Sequence, residues 1–216
     1  MSHSVHGNFK KIIVRSEGSI MSRERPKYRQ IIEGAIEVIA ENGFHASQVS
    51  KIAKKANVAD GTIYLYFKNK EDILISVFKD KMGYFEQETM KAIQEHSSAK
   101  DKLATFIRMH YTLLSASPYL AIVTQLELRQ SNPELRHKIN DVLKDYLDII
   151  DMIVKQGMED GDMRKDIDSK LIRQMIFGTL DETVTTWVMK SQRYSLVDQV
   201  EDVHQLLVHG LFTARE

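Results

Sequence analysis

The sequence predicts an all-α fold on three observations. Its 216 residues include only 3 Pro and 10 Gly, few punctuators for a chain of many short strands. Apolar residues recur at three- and four-residue steps, the period of a helix with one buried face, and nothing reads as a strand pair. The composition, 43% hydrophobic and 28% charged, is that of an ordinary globular chain of one or two domains.

Residues 1–20 have no sustained apolar period and hold Gly7, Gly18 and several Ser and His. They are read as a disordered lead-in, taken to residue 22, or as residues foreign to the natural chain, with Met21 a candidate start. His3 and His6 lack the further ligands and the rigidity of a metal site. From Tyr28, the series Ile31, Ile32, Ala35, Ile36 and Ile39 describes a first helix that stops at Asn42-Gly43. Ser47 then precedes a short helix with Val49, Ile52 and Ala53 on one face. Asn57 breaks it, and Asp60 opens a second short helix over 60–67. Asn69, with Asp72 three residues on, starts a long helix through Ile73, Leu74, Val77, Phe78, Met82 and Phe85 to about residue 96. Further helices are expected over 99–115, 118–130, 132–157, 168–192 and 197–212. Pro118 and Pro133 suit first turns, Asn132 suits an N-cap, and Gly157 and Gly161 bracket the exit of the long helix. The result is about nine helices in two domains, 23–70 and 71–216, with no internal repeat.

The 30 Lys+Arg balance 30 Asp+Glu, yet residues 1–70 hold 12 basic against 6 acidic residues, leaving 18 against 24 for the remainder. One end is therefore basic and the other acidic. With no Cys there is no disulfide framework or thiolate chemistry, as suits a reducing cytoplasm. No apolar run approaches the roughly 20 residues of a membrane helix, and Ile12-Ile13-Val14 is too short for a secretory core. No Gly-x-Ser-x-Gly, His-Glu-x-x-His, Gly-x-Gly-x-x-Gly or phosphate-loop spacing is present. Asp181 and Glu182 are adjacent on a helix and so face different ways. No catalytic residue, cofactor or metal is expected, and no membrane partner.

Two short helices joined by a tight turn form the unit that sets one helix into the DNA major groove. The second would begin at Asp60. Gly61 lets a backbone approach, Thr62 offers a hydroxyl and a methyl to a base edge, Tyr64 and Tyr66 reach phosphates or bases, and Lys68 and Lys70 follow. Phosphate attraction dominates affinity, so a local cationic excess outweighs a neutral total. Here it comprises Arg23, Arg25, Lys27, Arg29, Lys51, Lys54, Lys55, Lys68 and Lys70. The bland alternative is a helix pair of a bundle with a solvated Lys row, and composition alone leaves both open.

The stretch Val58-Ala59-Asp60-Gly61-Thr62-Ile63-Tyr64-Leu65-Tyr66-Phe67-Lys68-Asn69-Lys70-Glu71-Asp72-Ile73-Leu74 closely resembles the signature of TetR-family transcriptional regulators, and 31–43 and 48–56 match the same pattern. The resemblance covers about 28–77 and implies a three-helix DNA-binding domain. It places Thr62 and Tyr64 at base and backbone contacts, Lys70 at a phosphate, and Gln48 and Ser50 at phosphate or base contacts. Lys27, Tyr28, Asp60, Gly61, Tyr66 and Lys68 complete the expected DNA-binding set. Ile52, Ala53, Val58, Ile63 and Phe67 look like core. Asp60 would cap the recognition helix or repel a phosphate, and capping is preferred.

For the larger domain the resemblance implies a ligand pocket and a dimer seam. Apolar faces, Met175, Ile176, Leu180, Val184, Trp187 and Val188 on one helix and Val203, Leu206, Leu207, Gly210 and Leu211 on the next, suit a four-helix seam or internal core. Val184, Trp187, Val188, Val203, Leu207 and Gly210 are the expected interface. Eight of ten Met lie beyond position 81, and such flexible side chains suit an apolar guest or simply a core. The segments 120–132 and 174–188 look like the family's bacillus-type regulators of fatty-acid degradation, whose effector is a long-chain acyl-CoA. Burying a dozen methylenes gains roughly 10 kcal/mol gross and needs a long apolar tunnel. Phe78, Met82, Phe85, Phe106, Met109, Leu113 and Leu114 are candidates for it, with Ile122, Leu126, Leu147, Ile150, Phe177 and Leu180. Arg108, Arg129, Lys155 and Arg173 are candidates for the CoA phosphates, Arg129 foremost, each with a surface or salt-bridge alternative. His110 joins the pocket set, though it is read chiefly as a packed core residue. The expected function is a homodimeric repressor of fatty-acid degradation genes on palindromic operator DNA, released by long-chain acyl-CoA. The alternative is a drug- or metabolite-responsive repressor of an efflux pump.

Overall fold

A computed structural model describes residues 26–212. The expected lead-in, His3, His6, Arg23 and Arg25 lie outside the described residues. Among those described are nine α-helices and one 3-10 turn, and no strand longer than the isolated bridge Met163–Phe212. They fall into two compact units, one reaching Ile73 and one starting at Leu74.

In the first unit, α1 (Pro26–Asn42) buries Tyr28, Ile31, Ile32, Ala35, Ile36 and Ile39. Gly43 ends it at φ 74°, with its N–H on Ile39 O at 2.7 Å, a left-handed stop that costs glycine little. α2 (Val49–Lys55) follows. A Cβ on Gly34 of α1 would stand 3.0 Å from the Ala56 nitrogen, so the crossing requires glycine. Asn57, at φ 53°, makes the expected break, and the Val58 N–H returns to Ala53 O at 3.0 Å.

α3 is shorter than expected. The regular helix spans Asp60–Ile63, and hydrogen bonds from Leu65, Tyr66 and Phe67 to Thr62 and Ile63 carry the curl to 67. The β-branched and aromatic run Thr62-Ile63-Tyr64 has poor helix propensity, which accounts for the early end. Ile63 and Phe67 still point inward beside Ile52 and Ala53 as the core of the unit.

α4 spans Lys70–Ile93. Its start is a reciprocal cap, with the Asp72 N–H on Asn69 Oδ1 at 2.8 Å and the Lys68 N–H on Asp72 Oδ2 at 2.9 Å. Its first turn belongs to the first unit and its remainder to the second. There α5 (Ala99–Ser115), α6 (Pro118–Glu127), α7 (Pro133–Glu159), α8 (Ser169–Met189) and α9 (Val200–Leu211) pack as α7 on α8, α5 on α9 and α7, and α6 on α8. Caps set the boundaries: Ser98 accepts from Asp101 N–H, Asn132 from Glu134 and Leu135, and Asp168 from Lys170 and Leu171. Each satisfies N–H groups that a helix start leaves unpaired.

Gly157 does not bracket the exit of α7; it lies inside the helix, where an added Cβ would stand 2.9 Å from Met163 Cγ. Gly161, at φ 78°, makes the exit alone. Phe106, Ile107, Tyr111, Ile150, Ile153, Ile172 and Leu180 are completely buried in the core of this unit.

Candidate functional site

The first unit presents its polar residues around α3 over a small apolar core. Lys27, Gln48, Ser50, Asp60, Gly61, Tyr64 and Lys68 are exposed, and Thr62 and Tyr66 half-buried. A Cβ on Gly61 would meet nothing within 4 Å, so internal packing does not demand its small size. The sequence reading missed Leu65, which is 82% exposed. Its signal was the inward pair Ile63 and Phe67, four apart, which turns Leu65 outward.

Three expected contacts sit differently. Tyr28 is buried, stacked on Phe67 at 5.3 Å, because it occupies the inward period of α1. The Lys70 ammonium donates to Phe44 O and His45 O, both at 3.0 Å, and lies over the Phe44 ring. It ties the end of the α1 loop to the start of α4, with one of its three donors left over. Asp60 does not cap α3: the N-cap is Ala59, in extended geometry and with no side-chain hydrogen bond. At the first helical position the carboxylate cannot turn back onto the N–H groups it would have to reach, though it faces the favourable end of the dipole.

The second unit holds a cavity of about 30 Å³ inside its bundle. Of the expected pocket residues it gathers Phe78, Met82 and Phe85 from α4, His110 and Leu114 from α5 and Phe177 from α8. Thr124, Leu128, Leu143 and Tyr146 also line it and were missed. Leu143 and Tyr146 continue the buried spacing Ile139, Leu143, Tyr146, Ile150 along α7, which was the available signal. Phe106, Ile150 and Leu180 are completely buried but do not line the cavity, and Met109, Leu113, Ile122 and Leu147 stand half-buried outside the lining. Leu126 is 51% exposed and no pocket residue, because Leu120, Val123, Thr124 and Glu127 take the inner face of α6.

His110 lines the cavity together with two hydroxyl residues, Thr124 and Tyr146. Its Nδ1 stands 3.0 Å from the Tyr146 hydroxyl, with the Phe106 and Tyr146 rings stacked on it. Burial pushes its pKa down to about 4, so the imidazole is neutral at pH 7, and burial raises that of Tyr146. Its Nε2 is buried with no polar partner.

The cations expected for CoA phosphates do not converge. Arg129 pairs with buried Asp181, beside which Gln125 lies 2.9 Å from Thr185 Oγ1. Arg173 pairs with Asp151 at 2.8 Å, Lys155 lies 3.8 Å from Glu159, and Arg108 is exposed. Arg129 follows the cavity residue Leu128 directly, and its ion pair makes it a tie between α8 and the end of α6.

The expected dimer seam also needs correction. Val184, Trp187, Val188, Val203 and Leu207 are buried within the subunit, Trp187 donating to Tyr194 O at 2.8 Å. They are its own core; only Gly210 is exposed. The apolar side chains turned outward on the same helices are Leu171, Met175 and Met189 of α8 and Leu206 of α9, which is 76% exposed. An amphipathic period reveals that a helix has an apolar face, but these helices are apolar on two.

Among the described residues no group of three or more His, Asp or Glu is placed to hold a metal, and no helix is long and apolar enough to cross a membrane.

The comparisons with known proteins agree with this geometry. The profile of bacterial regulatory proteins of the tetR family matches residues 31–77, and that of the YsiA-like protein C-terminal region matches 78–210. The fatty acid metabolism regulator protein of Bacillus subtilis is 61% identical over 191 residues, 88% of this chain and 98% of that one. The crystal structure of the transcriptional regulator FadR from Bacillus subtilis in complex with stearoyl-CoA is similar, with 62% identity and a TM-score of 0.83 over 85% of this chain and 98% of that chain. The fatty acid degradation regulator FadR from Bacillus halodurans is 56% identical, with a TM-score of 0.82 over 85% of this chain and 99% of that chain. The two profiles together match both units of the chain. The chain belongs to the TetR family of bacterial transcriptional regulators, and is a regulator rather than an enzyme.

Proposed function

We propose that this chain is a cytoplasmic, homodimeric repressor of fatty-acid degradation genes, which binds a palindromic operator through α3 and is released by long-chain acyl-CoA. The observation that carries the reading is the identity of 61% across 98% of the Bacillus subtilis fatty acid metabolism regulator, joined to an apolar cavity in the second unit and to the stearoyl-CoA complex of a relative. Exposed Gly61, Tyr64 and Lys68 with half-buried Thr62 supply base and phosphate contacts. Two copies, joined over the outward apolar residues of α8 and α9, set their α3 helices about 34 Å apart, one turn of DNA.

Release follows from size. The cavity of about 30 Å³ is far below the roughly 300–1,000 Å³ of a small-molecule site. An acyl chain must therefore push Phe78, Met82, Phe85 and Leu128 apart, and it binds a rearranged bundle better than this one. That differential affinity is what shifts a population. α4 carries Lys70 at one end and Phe78, Met82 and Phe85 further along, so its displacement moves the DNA-binding unit.

Fluorescence anisotropy of a labelled operator duplex tests this. Stearoyl-CoA should release the duplex and free CoA should not. A duplex that stays bound at saturating stearoyl-CoA contradicts the effector; a drug-like ligand that releases it instead favours the efflux alternative.

A further inference from the structure

One buried polar atom on a residue of the cavity lining has no partner, and its neighbours fix its chemical character. His110 borders the cavity among Phe78, Phe85, Leu114 and Phe177, is only 5% exposed, and its Nε2 meets no polar partner. A buried ring nitrogen without a partner is costly, and an apolar residue of similar volume would fill the place without that cost. The Tyr146 hydroxyl accounts for the Nδ1 side of the ring, and nothing in the packing accounts for Nε2.

The neighbouring phenol decides what the free nitrogen offers. Tyr146 is buried and neutral, and a buried phenol must set its O–H on an acceptor. His110 Nδ1, at 3.0 Å, is within reach, and the Thr89 hydroxyl beside Tyr146 lowers the phenol's pKa as a donor to its oxygen does, which leaves the phenol's own O–H for Nδ1. With the Tyr146 O–H donating there, Nδ1 is the bare nitrogen and the imidazole proton sits on Nε2. The rings of Phe106 and Tyr146 lie near-parallel to the imidazole and pack against each other, which holds its plane. The open valence is thus a donor, held on a lining residue beside Thr124 and Tyr146, whose hydroxyls already have partners.

We infer that His110 is a specificity-determining residue of the effector site: its Nε2–H donates to an acceptor oxygen carried by the acyl guest. Given the acyl-CoA reading of the cavity, on which this assignment rests, two oxygens have that chemistry. One is the thioester carbonyl and the other is a hydroxyl or keto oxygen along the chain. A saturated hydrocarbon segment cannot satisfy the nitrogen, so the site discriminates by a hydrogen bond and not by tail length alone.

Isothermal titration calorimetry with three probes separates the possibilities: stearoyl-CoA, its thioether analogue S-octadecyl-CoA, and a set of hydroxystearoyl-CoA isomers. The wild type should bind stearoyl-CoA about tenfold tighter than the thioether if the carbonyl is read, or one hydroxystearoyl-CoA about tenfold tighter than stearoyl-CoA if a chain oxygen is read. His110→Leu should bind these probes with that preference lost, and His110→Gln, which keeps an N–H donor, should retain part of it. Equal wild-type affinity for all probes, or a preference that survives in His110→Leu, overturns the assignment. Failure of every acyl-CoA to bind the wild type contradicts the effector reading itself. Nitrogen-15 NMR of the unmodified protein gives a test free of any variant: His110 should show a protonated Nε2 and a bare Nδ1, and the opposite tautomer overturns the assignment.

Discussion

The two units use their side chains in opposite ways. In the first, residues proposed to touch DNA stand outside the core: Gly61, Tyr64 and Lys68 are exposed while Ile52, Ala53, Ile63 and Phe67 hold the fold. In the second, the cavity residues Phe78, Met82, Phe85, His110 and Tyr146 are themselves buried core. A surface site is changed without disturbing the fold, whereas a site made of core side chains links recognition to stability. That link is also what allows a guest to act as a switch, since occupying such a cavity means repacking the core.

Substitutions can break or sharpen this contrast. The largest effect should be Phe106→Ala in the second unit: the ring is completely buried and packs against both His110 and Tyr146, and its loss should cost about 3–5 kcal/mol in a denaturant melt. A loss below about 1 kcal/mol would mean that the bundle is loosely packed there.

Acid should act through the same place. Burial lowers the folded-state pKa of His110 from 6.5 to about 4, so between those values the unfolded chain binds the extra proton. The stability that the neutral ring contributes is complete above pH 6.5, declines as pH falls, and is gone near pH 4. It amounts to about 3 kcal/mol over that window. Buried His204, whose pKa burial also lowers, adds in the same direction. His110→Leu should flatten the decline between pH 6.5 and 4 in parallel melts; an unchanged slope would show that His110 does not carry it.

Smaller effects belong to the first unit. Thr62→Ala should weaken cognate operator binding by about 1–3 kcal/mol and leave random DNA nearly unaffected, as read by anisotropy against both duplexes. Lys68→Ala should lower the salt slope of binding by about one on every sequence, with the melt unchanged within about 0.5 kcal/mol. Lys70→Ala should differ from it by costing stability, because the Lys70 ammonium spans two loop carbonyls. If the two lysine variants behave alike, the loop tie contributes nothing.

These pairs also mark what the sequence could reveal. Helix starts were legible because a cap is local chemistry: Asn69 with Asp72, Asn132 with Pro133, and Asp168 all stand where expected. Six residues of the cavity were legible because a TetR-type resemblance met a helical period. Tyr28 and Lys70 were not, since residue type says nothing about whether a ring or an ammonium turns inward. The interface set failed for a related reason: α8 is apolar on both sides, and the spacing of Ile172, Ile176, Leu180 and Val184 does not announce that it, rather than Leu171 and Met175, is the inner one. Leu143 and Tyr146 were missed although their spacing marks the inner face of α7, because which inner residues border a cavity depends on how the helices cross.

The central claim is that the packing inside the second unit governs the grip of the first. Its most direct measurement is the release of operator DNA from a variant whose cavity is filled, Leu143→Phe, followed by anisotropy while stearoyl-CoA is added. The variant should hold the operator as tightly as the wild type and keep holding it at concentrations that release the wild type. Release of the filled variant at the wild-type concentration would contradict the account.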